Sequence, residues 1–159
     1  MKHIDDKIKT LDIPLLLSGI GGMGKTAVAV AYGKDKTYNT TYNNIAWIDV
    51  NENIFSNMFS TFQGNPAIPF EYSPDGDREK DIVSIMELLN QLPGDNLLQI
   101  DNANEEKDLQ QFISAWKKYQ LGWKCLVTTR CENNAYKNHL IKLEIIVLQN
   151  YLLNKHRCQ

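Results

Sequence analysis

Cysteine and arginine are both scarce in this chain of 159 residues. Cys125, Cys131 and Cys158 are odd in number and lack the CxxC spacing of a zinc or redox site, which excludes a disulfide framework and points to a reducing cytoplasm. The three arginines, Arg78, Arg130 and Arg157, lie far apart, too scattered to neutralise the two sets of phosphates that a small phosphotransferase handles. No charge sign dominates: 17 basic against 19 acidic residues leave −2 and no field that would recruit nucleic acid or a membrane surface. No apolar run approaches the roughly 20 residues of a bilayer span. The polar start, Met1-Lys2-His3-Ile4-Asp5-Asp6, is unlike a signal peptide. Internal repeats and low-complexity tracts are also lacking.

What is present is an alternation of apolar strands and amphipathic helices. Ile13 to Ser18 is a short continuous apolar run, as in a strand buried on both faces. A glycine-rich turn follows, and Lys25 to Tyr32 reads as the start of a helix. Asn44 to Val50 is a second strand, and Ile54, Phe55, Met58, Phe59 and Phe62 form a helical stripe within Glu52 to Phe62. Gly64 to Asp77 is rich in proline and glycine and reads as a loop. A helix over Asp81 to Leu92 is stopped by Pro93-Gly94. Asn96 to Asp101 is a third strand. The acidic start at Asn104-Glu105-Glu106 opens a helix running to about Leu121, with Phe112, Ile113 and Trp116 turned inward. Lys124 to Thr129 is a fourth strand, and Leu140 to Leu148 is expected to hold a fifth. Such alternation implies a mainly parallel sheet with helices on both faces, in one unit over 13–148, after a lead-in of 1–12 and before a tail of 149–159.

The turn after the first strand reads Gly19-Ile20-Gly21-Gly22-Met23-Gly24-Lys25-Thr26, which fits G-x-x-x-x-G-K-[ST]. Its four fixed positions coincide by chance in about one chain in two hundred of this length, at average residue usage. Position between an apolar strand and a helix lowers that further. Glycine lets backbone approach an anion without a Cβ in the way, and successive N–H groups at a helix start form a concave anion nest. Gly19, Gly21, Gly22, Met23, Gly24, Lys25, Thr26 and Ala27 are therefore the candidate nucleotide-binding residues. Lys25 is the point charge for the β- and γ-phosphates, and the Thr26 hydroxyl is a candidate Mg²⁺ ligand.

A metal held there needs an acid at the end of a neighbouring strand. Asp101 closes the apolar run Leu97 to Ile100 and is followed by turn residues. Asp49 is the competitor, but lies inside its strand with Val50 after it, so Asp101 is preferred as second metal residue and catalytic partner of Lys25. Position 102 is Asn, which cannot accept a proton from water, and Glu105 and Glu106 read as helix-start charges. Slow turnover is the expectation. Arg130 ends the fourth strand on the edge where ligands collect in open α/β sheets, and can sense a γ-phosphate as a third catalytic and binding residue.

Together these segments resemble the NB-ARC nucleotide-binding module of the STAND class of signalling ATPases. Gly19 to Ala29 is close to that family's G-x-G-G-x-G-K-T-T-L-A, with Ala27 replacing the second Thr. Asn44 to Val50, Leu97 to Asn102 and Val127 to Arg130 (VTTR) resemble its second strand, Walker B and sensor segments, in order over Pro14 to Arg130. The resemblance implies a three-layer P-loop NTPase fold with a five-stranded sheet in the order 5-1-4-3-2, ATP or ADP with Mg²⁺ as ligands, Arg130 reading the γ-phosphate and Asp101 serving the metal. The family commonly has a second acid where this chain has Asn102, which bears on hydrolysis more than on binding. It also implies helical and winged-helix subdomains after the sheet, and Gln149 to Gln159 shows none of their motifs. The chain thus reads as a bare nucleotide-binding core, a fragment or a truncated frame. Phe112, Trp116, Ile145 and Ile146 are then expected on surfaces that an absent subdomain would cover, open to self-association. A small nucleoside-kinase-like phosphotransferase and a non-functional remnant are the alternative readings. The scattered arginines argue against the first.

Overall fold

The computed structural model describes residues 1–63, 65–66, 68, 76–131 and 140–142. The elements run α1 (Lys2–Thr10), β1 (Leu15–Ser18), α2 (Lys25–Tyr38), β2 (Asn44–Asp49), α3 (Ile54–Phe62), α4 (Arg78–Gln91), β3 (Asn96–Asp101), α5 (Glu106–Tyr119), β4 (Lys124–Thr129) and β5 (Leu140–Lys142). The strands form one sheet in the order β2-β3-β4-β1-β5, every neighbouring pair parallel. Read from the other edge this is 5-1-4-3-2, the order implied by the family resemblance.

Alternation along each strand divides the core in two. Leu15, Leu17, Leu97 and Leu126 face one side, where they pack with Ile4 and Ile8 of α1 and Val28, Ala29 and Tyr32 of α2. Leu16, Ile48, Leu98, Ile100 and Val127 face the other, beneath α3, α4 and α5. Helices thus cover both faces, which is why β1, β3 and most of β4 are buried from end to end. Gln99 is the polar exception within β3. Its side-chain amide donates to the Ala29 carbonyl at 2.7 Å, and Gly33 on α2 leaves room for it, since a Cβ there would lie 2.1 Å from Gln99 Oε1.

The first dozen residues are more than a lead-in. Ile4 and Ile8, one helical turn apart, bury against the core, and Asp5 ties α1 to α2. Lys36 Nζ donates to Asp5 Oδ2 at 2.7 Å and Tyr32 Oη donates to Oδ1 at 3.1 Å. Helix α4 begins at Arg78, three residues before the apolar stripe suggested, because Asp77 caps it by accepting from Glu79 N and Lys80 N. On the other face Asp108 of α5 is buried, accepts from Ile54 N at 2.8 Å and pairs with Arg78, so it caps α3. One expectation is overturned. Phe112 and Trp116 lie on the inner face of α5, fully buried in the core that α5 shares with α3 and α4, with ring centroids 5.6 Å apart, and form no exposed apolar patch. Ile145, Ile146 and the rest of 143–148 lie outside the described residues, as do most of Gly64 to Asp77, the tail 149–159 and Arg157.

Candidate functional site

All four strand ends that carry candidate residues meet on one edge of the sheet: the glycine turn after β1, Asp49 on β2, Asp101 on β3 and Arg130 after β4. The turn reaches α2 through Gly22 and Gly24, both in the left-handed region at φ 79°. Gly24 is the N-cap of α2 and brings no side chain, so the first N–H groups of the helix stay open to an anion. Gly21, Gly22, Thr26 and Ala27 are exposed, Met23 and Gly24 half-buried, and Gly19 buried behind them.

Lys25 is buried at 9% exposure, and its ammonium donates to the carbonyls of Gly19 at 2.6 Å and Ile20 at 2.9 Å. Burial lowers the Lys25 pKa first and the nearby Arg130 lowers it further, against the attraction of Asp101. The Arg130 guanidinium lies over the same turn: a Cβ on Gly21 would be 3.5 Å from its Cζ. Among the described residues neither cation has an ion-pair partner. Two positive groups therefore crowd one anion nest, and a polyanion would relieve their repulsion.

Across the turn, Thr26 Oγ1 bonds to both oxygens of Asp101, at 3.0 and 2.9 Å. Asp101 is 3% exposed and also accepts from Thr128 Oγ1. This is an all-oxygen, hard donor pair, suited to Mg²⁺, which takes one or two protein oxygens and completes its shell with water and phosphate. No group of three or more His, Cys, Asp or Glu able to hold a metal exists among the described residues, so an all-protein metal cage is not the alternative here.

The sequence profile of the NB-ARC domain matches residues 5–150. The chain belongs to the NB-ARC family. A protein of Arabidopsis thaliana named for disease resistance is 23% identical over 128 residues, which are 79% of this chain and 13% of that relative. The chain thus spans about an eighth of the curated relative it matches. Among solved structures, a mutant RuvB of Thermotoga maritima covers 96% of this chain and 50% of its own length at 16% identity, with a TM-score of 0.46. The match and the fold make this chain an NB-ARC nucleotide-binding module. None of its described helices is long and apolar enough to cross a membrane.

Within this NB-ARC core the sequence reading brought Lys25, Thr26, Asp101 and Arg130 to one place, and they do meet. Glu105 is the N-cap of α5, its carboxylate taken by Lys107 N at 3.3 Å and Asp108 N at 2.6 Å, as a helix-start charge should be. Three supporting residues were missed. Thr128, only 1% exposed, donates to Asp101 and accepts from Asn102 N at 3.0 Å. Thr129 donates to the Ala103 carbonyl at 2.6 Å. Asn104 Oδ1 accepts from Arg130 N at 2.9 Å, so the loop after β3 fixes where β4 ends. A threonine pair in a strand reads as β-propensity, and only the VTTR resemblance hinted at more.

Proposed function

We propose that this chain is the ATP- and ADP-binding core of an NB-ARC signalling switch, working with Mg²⁺ and hydrolysing ATP slowly. The observation that carries the reading is the pair of cations, Lys25 and Arg130, directed at the Gly19–Thr26 turn without an ion-pair partner among the described residues. In this reading the main-chain N–H groups from Gly21 to Ala27 hold the phosphates, and Lys25 neutralises the β- and γ-phosphates. Thr26 and Asp101 hold Mg²⁺, which when bound offsets phosphate charge. Arg130, anchored through its own N–H to Asn104, registers whether a γ-phosphate is present. The nucleoside-kinase reading loses ground, because Arg78 is committed to Asp108 at 3.3 Å and leaves Arg130 the one described arginine at the turn.

The relative named for disease resistance is far longer than this chain, so the fitting partners are further segments that respond to nucleotide state, in the cytoplasm. Thermal unfolding with increasing ATP and Mg²⁺ tests the binding. The midpoint should rise logarithmically with ligand, by about 2.7 kcal/mol of stabilisation at a hundredfold excess over Kd. A Lys25→Ala chain that kept the full rise would sink the proposal.

A further inference from the structure

The proposed ATPase has an unexplained proton. A water that attacks the γ-phosphorus must lose one, and Asn102 cannot accept it. Most other carboxylates on this edge are engaged. Asp101 accepts from Thr26 and Thr128, Glu105 caps α5, and Asp108 caps α3 while pairing with Arg78. Asp49 is different: it is exposed and, among the described residues, accepts a single hydrogen bond, from Asn102 Nδ2 to Oδ1 at 3.1 Å.

Its position is set by the sheet. Asp49 stands opposite Asp101 in the parallel register of β2 and β3, one strand spacing or about 4.8 Å away in backbone. Both share the strand face of Ile45, Trp47, Leu97 and Gln99, which is the α2 face that carries Thr26. Asn102 would follow strand alternation to the other face. Its left-handed backbone, φ 65°, turns it back so that its amide reaches Asp49. Its N–H meanwhile stays on Thr128. The carboxylate and amide of this edge are thus paired across two strands, with the acid on β2.

Resting on the nucleotide reading above, we propose that Asp49 is the catalytic base for ATP hydrolysis and that Asn102 is its positioning residue. The water oxygen bonds to the γ-phosphorus while the bond from that phosphorus to the β–γ bridging oxygen breaks. The bridging oxygen keeps the electron pair and leaves with ADP. The water proton passes to the Asp49 carboxylate and then to the phosphate product, restoring the base. No further reactant is needed.

Single-turnover ATP hydrolysis with Mg²⁺, measured on the full chain beside ATP affinity, tests this. Asp49→Asn should lower turnover by about a hundredfold or more, the usual share of a general base, with ATP affinity unchanged. The exchange variant Asp49→Asn with Asn102→Asp puts the acid on the other member of the same hydrogen-bonded pair, and should recover turnover at least tenfold over Asp49→Asn alone. A merely structural Asp49 would keep its turnover in Asp49→Asn, because the asparagine Oδ1 can still accept the bond from Asn102 but cannot take a proton from water. The proposal is overturned if Asp49→Asn keeps its turnover, if affinity and turnover fall together, or if the native chain binds ATP and never hydrolyses it. A native chain that binds no ATP overturns the nucleotide reading itself, and this inference with it.

Discussion

Thr128→Val removes one oxygen from the middle of the candidate site while keeping shape. The hydroxyl donates to Asp101 Oδ1 and accepts from Asn102 N, and its side chain is buried on β4. A hydrogen bond to a charged group contributes about 1.5–3 kcal/mol. Valine also sets a methyl group against a carboxylate that is 3% exposed, where water cannot easily replace the lost donor. The Asn102 N–H costs less, because that residue is exposed and its N–H can turn to water. The sum is about 2–3 kcal/mol, which for a chain of this length lowers the thermal midpoint by roughly 5–10 °C. Urea unfolding of the native chain, Thr128→Val and Thr128→Ser gives the numbers directly. Serine keeps the hydroxyl and should recover most of the loss. A Thr128→Val chain within about 0.5 kcal/mol of native would refute the view that β4 holds the Asp101 carboxylate in place.

Three further outcomes are expected. Burial pushes the Asp5 carboxyl up, but bonds from Lys36 and Tyr32 outweigh it and hold its pKa below the ordinary 3.8, while the same pair holds Lys36 above 10.5. The contribution of Asp5 is therefore full above 3.8 and lost as pH falls through its lower folded value, and that of Lys36 is full below 10.5 and lost as pH rises through its higher one. Asp5→Asn should cost about 1.5–3 kcal/mol in urea at pH 7 and progressively less towards acid, a trend that a pH-independent difference would contradict. Gly94→Ala should cost about 2–3 kcal/mol, because the residue sits at φ 89° and a Cβ would come within 2.4 Å of Asn43 Oδ1, which holds Asp95 N. Since Gly94 lies at the opposite edge of the sheet from the glycine turn, ATP affinity should not change. The buried Cys125 thiol, pushed well above its ordinary pKa by burial, should be alkylated only on unfolding, as peptide mass spectrometry would register.

The two strands at the centre of the sheet were legible to the residue, since Asn96–Asp101 and Lys124–Thr129 are apolar runs with polar turns on both sides. Boundaries failed where capping chemistry decides. Asp77 starts α4 before its apolar stripe begins, and Asn53 starts α3 by accepting from Ser56 N. Helix α1 was passed over because its signal is two isoleucines four apart among charges, which gain meaning only once α2 supplies Lys36 and Tyr32. The site was legible where chemistry sits in a local motif, as in Gly19–Thr26, or at a strand end, as at Asp101 and Arg130. It was not legible where it depends on neighbours across strands. Thr128 under Asp101, and Asn102 turned towards Asp49, need the sheet order and a positive φ that no spacing encodes.

The central claim is that Gly19 to Thr26 holds a nucleoside triphosphate with Mg²⁺ between Lys25, Asp101 and Arg130. Calorimetric titration of ATP into the chain, with Mg²⁺ and with excess chelator, measures it most directly. The account predicts saturable binding near one to one, weakened by at least about tenfold without Mg²⁺ or in Lys25→Ala. Equal affinity with and without Mg²⁺, or native affinity in Lys25→Ala, would contradict it.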